Sequence, residues 1–275
     1  MRLPNERLRL TVRRRRAVCL WPFAFCIALS GCAARSLSLP SDPGSPLPDF
    51  SEIHARITSA CRGARTLTAE LGLRGRAAGR RLSGRLHAGF AQPGSMRLEA
   101  VAPFGPPAFI LAARGTTAVL LLPREDRVVT GESADAILGA LTGVSLAPAD
   151  VQALLGGCVL PSPQAIGGRL HANGWASIDL QGGATMYLRK AGEWQLRAAR
   201  RDGWQIEYPA WQGAFPQALR LRSAGSSVEV DLTATLSQLQ ANTDIDPAAF
   251  TIDIPSNARP LTITELRDAG PLGEK

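Results

Sequence analysis

From Leu67 to Thr233 the chain returns again and again to a period of two, and that period restricts most of it to β-sheet with one apolar and one wet face. Leu67, Ala69, Leu71 and Leu73 share a face opposite Glu70 and Arg74. Leu82, Leu86, Ala88 and Phe90 oppose Ser83, Arg85 and His87. Residues 96–102 continue the pattern less regularly. Residues 108–113 and 117–122 are nearly continuous apolar runs, the mark of strands covered on both faces. Val128 and Val129 form a short strand after the turn residues Pro123 to Asp126. Beyond Ala165, Trp194, Leu196 and Ala198 alternate with Glu193, Gln195 and Arg197, and Trp204, Ile206 and Tyr208 with Gln205 and Glu207. Leu219 and Leu221 oppose Arg220 and Arg222; Val228, Val230 and Leu232 oppose Glu229, Asp231 and Thr233. A sheet with one wet face curls around something apolar. The expected fold is therefore mainly β with a helical insert, a single antiparallel unclosed barrel of about eleven strands.

The alternation breaks twice. Phe50 to about Cys61 reads as a short helix, with Ile53 and Ile57 four apart and Ser51 as its cap. In the middle, residues 132–157 place Ile137, Leu138 and Leu141 at helical spacing after Ser133, an N-cap residue. A second helix starts near Pro148 and puts Val151, Leu154 and Leu155 on one side, with Gly143 and Gly156 as terminators. No long internal repeat and no Gly-rich phosphate loop is present.

The charge balance of +8 points at first toward nucleic acid. Seven arginines and one glutamate in residues 1–31 account for +6 of it, leaving +2 for the rest. That basic segment precedes an apolar run from Ala17 to Leu29, too short to span a bilayer, which takes about 20 residues. Basic segment and short apolar run together read as an export signal. Arg13 to Arg16 lack the rest of a twin-arginine signal. The signal ends in Leu29-Ser30-Gly31-Cys32, which resembles the bacterial lipobox. The resemblance implies diacylglyceryl attachment to the Cys32 thiol, cleavage before it and acylation of the new amine. Ala33, in place of the aspartate that retains lipoproteins in the inner membrane under the enteric sorting rule, implies the outer membrane. Residues 32–49 are Ser/Pro-rich and read as a tether that could reach roughly 50 Å. Of five cysteines, Cys19 and Cys26 leave with the signal and Cys32 carries lipid. A Cys61–Cys158 disulfide is permitted in an oxidising compartment, though nothing in the sequence brings the two together.

Hydrolytic and metal chemistry find little support. His54, His87 and His171 are scattered without ligand spacing, and neither GxSxG nor HExxH occurs. Asp244 and Asp246 lie in a proline-bounded turn. The chain is expected not to be an enzyme and to need no cofactor. The feature of interest is Pro103-Phe104-Gly105, followed by Pro106 and Pro107, between two strands. Leaving so large an aromatic in water is unfavourable by about 25 cal/mol per Å². Two readings stand: Phe104 folds back onto the core, or it protrudes and touches lipid.

The order of lipobox, strand, Pro-hydrophobic-Gly turn, apolar strand pair, SADAILGALTGVSL and a second helix ending in Leu-Gly-Gly resembles the LolB family of outer-membrane lipoprotein receptors. Arg97-Leu98 before the turn and Leu141-Thr142-Gly143 at the end of the first insert helix carry the likeness. The close match covers about residues 97–161, and strand order extends it across 50–254. The family's protruding leucine is matched by Phe104. Two prolines after Gly105, and Val151 to Leu155 where the family often has a tryptophan, are departures. The resemblance implies a half-barrel carrier domain over 50–266 with a helical lid over 132–157 and a tail at 267–275. It implies an apolar cavity bordered by Leu71, Leu86, Leu98, Met186, Leu188, Trp194, Leu196, Trp204 and Ile206, each of which could equally be filled core. Ile137, Leu138, Leu141, Val151, Leu154 and Leu155 would face it from the lid. The implied function is an outer-membrane-anchored, monomeric receptor on the periplasmic face. It would accept acylated lipoprotein clients from a periplasmic LolA-type carrier and insert them into outer-membrane lipid, without nucleic acid. The same fold would also serve an envelope lipid or glycolipid binder, or a passive structural lipoprotein.

Overall fold

The period-two segments become strands that pair into one sheet. In the computed structural model, residues 37–223 and 229–269 are described. The expected export signal (residues 1–31), Cys32 and Val228 lie outside them. The chain opens with β1 (Ser45–Pro46) and α1 (Phe50–Gly63), then β2 (Thr66–Ala77), β3 (Arg80–Ala91), β4 (Ser95–Val101), β5 (Ile110–Arg114), β6 (Thr117–Leu122) and β7 (Arg127–Glu132). Helices α2 (Ala134–Thr142) and α3 (Pro148–Gly156) follow. Strands resume as β8 (Ala165–His171), β9 (Trp175–Leu180), β10 (Thr185–Ala191), β11 (Glu193–Arg201), β12 (Trp204–Gln212), β13 (Phe215–Ser223) and β14 (Val230–Ala241). A 3-10 turn (Pro247–Phe250), β15 (Arg259–Pro260) and α4 (Ile263–Ala269) complete the described chain.

The strand order is β1-β8-β9-β10-β11-β12-β13-β14-β2-β3-β4-β5-β6-β7-β15, and β1 and β15 remain as separate edges, so the sheet is unclosed. Fifteen strands stand where about eleven are expected. β1 and β15 are two-residue edge pairings made by backbone alone and leave no side-chain pattern. β8 carries no buried apolar face: Ile166 and Leu170 are exposed, and pairing with β9 holds it in place. The two halves of the chain meet where β14 pairs β2 from Val230↔Ala77 to Ala241↔Leu67. Gly75 permits this contact: a Cβ there would stand 2.0 Å from the Asp231 carbonyl oxygen.

The inward residues form one apolar core with the helices. One alternation expected from sequence is broken. In β11 the register shifts so that Tyr187 pairs Ala198 but Leu188 pairs Leu196, leaving Arg197 as a bulge. Ala198 therefore sits on the outer face with Trp175 and Tyr187, and Ala199 takes the inner one.

Ser133 caps α2 by accepting from the Ala136 N–H at 3.4 Å, and Gly143 ends it at φ 75°. α3 ends at Gly157 (φ 89°), one residue later than expected. Gly156 is still helical, and its bare Cα lets Cys61 of α1 approach. Cys61 and Cys158 form a disulfide joining the end of α1 to the residue after the α3 cap.

Leu37 to Lys275 forms one compact unit holding the whole sheet and its core, so this segment carries what it needs to fold alone. The expected tether is shortened accordingly. Leu37 and Leu39 pack on Trp175, Tyr187 and Ala198, Leu47 is buried, and β1 pairs the open edge of β8. Apolar side chains and an unpaired edge both gain by this docking. At the other end, the chain after β14 passes over the outer side of the sheet. Arg97 donates to the Ala249 carbonyl at 3.1 Å, the 3-10 turn packs on β4 and β5, and Asp126 accepts from Arg259 N–H at 2.7 Å. α4 then packs on α2 with Leu266 fully buried, and its helix runs to Ala269, past the expected start of the tail at 267.

Candidate functional site

The inner face of the sheet and the inner faces of α2 and α3 meet in one continuous apolar body. Leu71, Leu86, Leu98, Met186, Leu188, Leu196 and Ile206 are buried in it, with Trp194 and Trp204 packed at its border. From the helices Ile137, Leu138, Leu141, Leu154 and Leu155 are buried in the same cluster, and Val151 packs against it. Around Met186, Leu188 and Ile137 the space of the expected cavity is taken by protein side chains. Met186, Leu188 and Ile137 have no accessible surface, so no water-sized void adjoins them. The reason is energetic: an empty apolar hollow costs roughly 24 cal/mol per Å³, and the helices relieve that by lying in it.

Polar contacts hold α3 in this position. The Arg201 guanidinium lies 2.8 Å from an Asp150 carboxylate oxygen at the start of α3. It also donates to the Val159 carbonyl, just past the end of α3, at 3.1 Å. One side chain thus grips both ends of the helix segment. Burial alone pushes Arg201 down; the hydrogen bond and charge of Asp150 outweigh it and leave the group above its ordinary value. Gln152, buried in α3, donates to the Ala64 carbonyl at 3.1 Å. The Tyr208 hydroxyl, pushed upward by complete burial, donates to the Leu154 carbonyl at 3.4 Å.

The β4–β5 connection has the opposite character. Phe104 is 89% exposed, and the second phenylalanine of the connection, Phe109, is buried in its place. Gly105 makes the turn at φ 76°. Arg124, from the β6–β7 turn at the same end of the sheet, donates to the carbonyls of Phe104 (2.7 Å) and Pro106 (2.9 Å) and braces the loop. The role of Arg124 is not legible along the chain because its contact spans two separate turns. The turn residues around Pro123 were the only available signal.

His171 bonds Ser177 at 2.8 Å through Nε2 and Asp42 at 3.3 Å through Nδ1. Ser177 is buried within β9, between β8 and β10. The trio therefore acts as a clasp that pins the 37–47 segment. An outer groove of about 410 Å³ has a mixed lining, with Glu70, His87, Arg97 and Glu99 beside the apolar Ile245 and Phe250. Among the described residues no helix is long and apolar enough to cross a membrane, and no group of three or more His, Cys, Asp or Glu could hold a metal ion.

These features define a class of fold: an unclosed β-sheet, antiparallel except where β15 pairs β7 in parallel, wrapped around helices and carrying a projecting apolar loop. No protein-family model matches the chain, and no curated protein sequence does. Among solved structures it is similar to a LolA superfamily protein from Nitrosomonas europaea, at 10% identity over 72% of this chain and 96% of that one, with a TM-score of 0.48. It is also similar to a DUF1329 family protein from Desulfovibrio piger (14% identity, 75% and 98% covered, TM-score 0.45). The lipoprotein LppX of Mycobacterium tuberculosis shows 11% identity, 72% and 99% coverage, and a TM-score of 0.32.

Proposed function

We propose that this chain is a LolB-like carrier. It is anchored through lipid on Cys32 to the periplasmic face of the outer membrane, receives acylated lipoproteins from a LolA-type carrier in its apolar interior, and passes them into the membrane without catalysis or cofactor. The observation that carries the reading is Phe104: a phenylalanine 89% exposed at a braced Pro-Gly turn, beside a sheet whose inner face is apolar throughout. A triacylated client exposes on the order of 30 kcal/mol of apolar surface to water, at ~0.8 kcal/mol per methylene, so it must travel from one apolar shelter to another. Acyl chains would take the place of the α2 and α3 side chains against β10, β11 and β12, and release of α3 would open the way. The Cys61–Cys158 disulfide supports an oxidising compartment.

The test is Phe104→Glu. An exposed position tolerates the change within about 0.5 kcal/mol of stability. Delivery of lipoproteins to the outer membrane should fail, and they should accumulate upstream on the donor carrier. Normal lipoprotein localisation in the variant would overturn the proposal. Native mass spectrometry of residues 37–275 provides the companion measurement: acylated peptide bound inside supports the lipoprotein carrier, and free lipid or glycolipid alone would replace it with a lipid carrier.

A further inference from the structure

Residues 74–85 contain five arginines, Arg74, Arg76, Arg80, Arg81 and Arg85, and no acidic residue, and all five are exposed. The β2–β3 register sets Arg76 directly across from Arg81, a like-charge pairing that costs a hairpin stability. The row continues across the sheet. Arg76 is level with Asp231, which is already engaged by Arg220 at 2.5 Å and lies 3.9 Å from Arg222. Glu229 is a further acid at this end, and its carbonyl accepts from Ala78 N–H. Asp231 and, across the β12–β13 pairing, Glu207 both serve Arg220 of β13, not the β2–β3 hairpin. Arg80 is spent on carbonyls of Arg267 and Asp268 in α4. Among the described residues Arg74, Arg76 and Arg85 have no ion pair.

The placement matters as much as the charge. β3 and β4 are antiparallel neighbours, and Arg85 is level with Val101, three residues before Phe104. Val101 is itself 41% exposed. The basic face therefore runs through an exposed valine to the projecting phenylalanine at the same end of the sheet. Glu125 and Asp126, in the β6–β7 turn, stand on the far side of the Phe104 loop, so attraction for anions is confined to the hairpin side.

We propose that the outer face of the β2–β3 hairpin, through Arg74, Arg76 and Arg85, is a docking surface for an anionic phospholipid bilayer, engaging its phosphates while Phe104 enters the apolar layer. This rests on the membrane role of Phe104 given above and adds the lipid class that the carrier selects. Nucleic acid fits less well, since no aromatic side chain lies between the arginines to stack on bases. Each arginine near an anionic surface contributes about a fivefold gain in partition, so the three together contribute roughly a hundredfold.

Residues 37–275 are mixed with vesicles of phosphatidylcholine alone and of phosphatidylcholine with phosphatidylglycerol, and bound protein is measured by co-sedimentation. The wild type should prefer the anionic vesicles by tenfold or more, and high salt should erase the preference. Arg74→Gln/Arg76→Gln/Arg85→Gln should lose that preference and keep its residual binding to neutral vesicles. Phe104→Ser should weaken binding to both vesicle types alike. Arg85→Gln alone, the mildest change, should lose a few-fold on anionic vesicles only. Equal binding of wild type to both vesicle types, an unchanged triple variant, or tighter binding to a DNA duplex than to anionic vesicles would overturn the inference. Failure of the Phe104 reading has a separate signature: a triple variant that loses the anionic preference while Phe104→Ser binds like wild type.

Discussion

Replacing Arg201 by methionine keeps the length and apolar stem of the side chain and removes the grip on α3. The pair with Asp150 is 2.8 Å long, and the two side chains are only 16% and 17% exposed. Removing one partner of a fully buried pair costs about 3–5 kcal/mol. Here Asp150 keeps some solvent and lies in the first turn of α3, where the helix dipole returns about 0.3–1 kcal/mol to a carboxylate. The bond to the Val159 carbonyl is lost as well, leaving that acceptor to find water. The net effect on closure of the α3 segment is about 2–3 kcal/mol, or roughly a 30- to 150-fold shift toward the open state. Amide hydrogen exchange reads this directly. The amides of Val151 to Gly156 should exchange faster by that factor, while those of β2 and β14 change little, and uptake of a fluorescent fatty acid should quicken. If every amide speeds up equally, α3 is ordinary core and does not move on its own. If none does, the grip of Arg201 contributes nothing to closure.

The remaining predictions concern stability. Reduction of Cys61–Cys158, or Cys61→Ser with Cys158→Ser, opens a loop spanning a sequence separation of 97. It should lower unfolding free energy by roughly 4–5 kcal/mol in urea titration, and coincident oxidised and reduced curves would refute this. His54 is buried in α1 with an unpartnered Nε2. Burial first, and the charge of Arg62 second, hold its imidazole below the ordinary 6.5. The unfolded chain then binds the proton more readily, so stability is full above about pH 6.5 and declines as pH falls through that value toward the lower folded pKa. His54→Met should flatten that decline between pH 7.5 and 5.5, and equal slopes in both proteins would show that the loss arises elsewhere.

Much of the architecture was legible because local chemistry dictates it. Alternation at Leu67–Leu73 and Leu82–Phe90 can satisfy backbone and apolar surface together only in a sheet with one dry face. Ser133 and Gly143 mark the ends of α2 through capping bonds that reach no more than four residues. The expectation of an export signal ending at Cys32 comes from composition and order, before any fold exists. Long-range geometry was beyond such reading. The Arg197 bulge depends on how β10 meets β11; β1 and β15 depend on which edges were left open; the meeting of Cys61 with Cys158 depends on where α1 and α3 come to rest. Whether Phe104 points inward or outward was undecided by hydrophobicity, which favours burial for Phe104 and Phe109 alike. The core has room for Phe109, while Arg124 braces the loop bearing Phe104 from a separate turn. Period and caps are properties of neighbours along the chain, so the residues alone determined them. Packing of α2 and α3 on the sheet, exposure of the loop and the placing of the arginines at its end of the sheet are properties of neighbours in space, so only the tertiary structure could decide them.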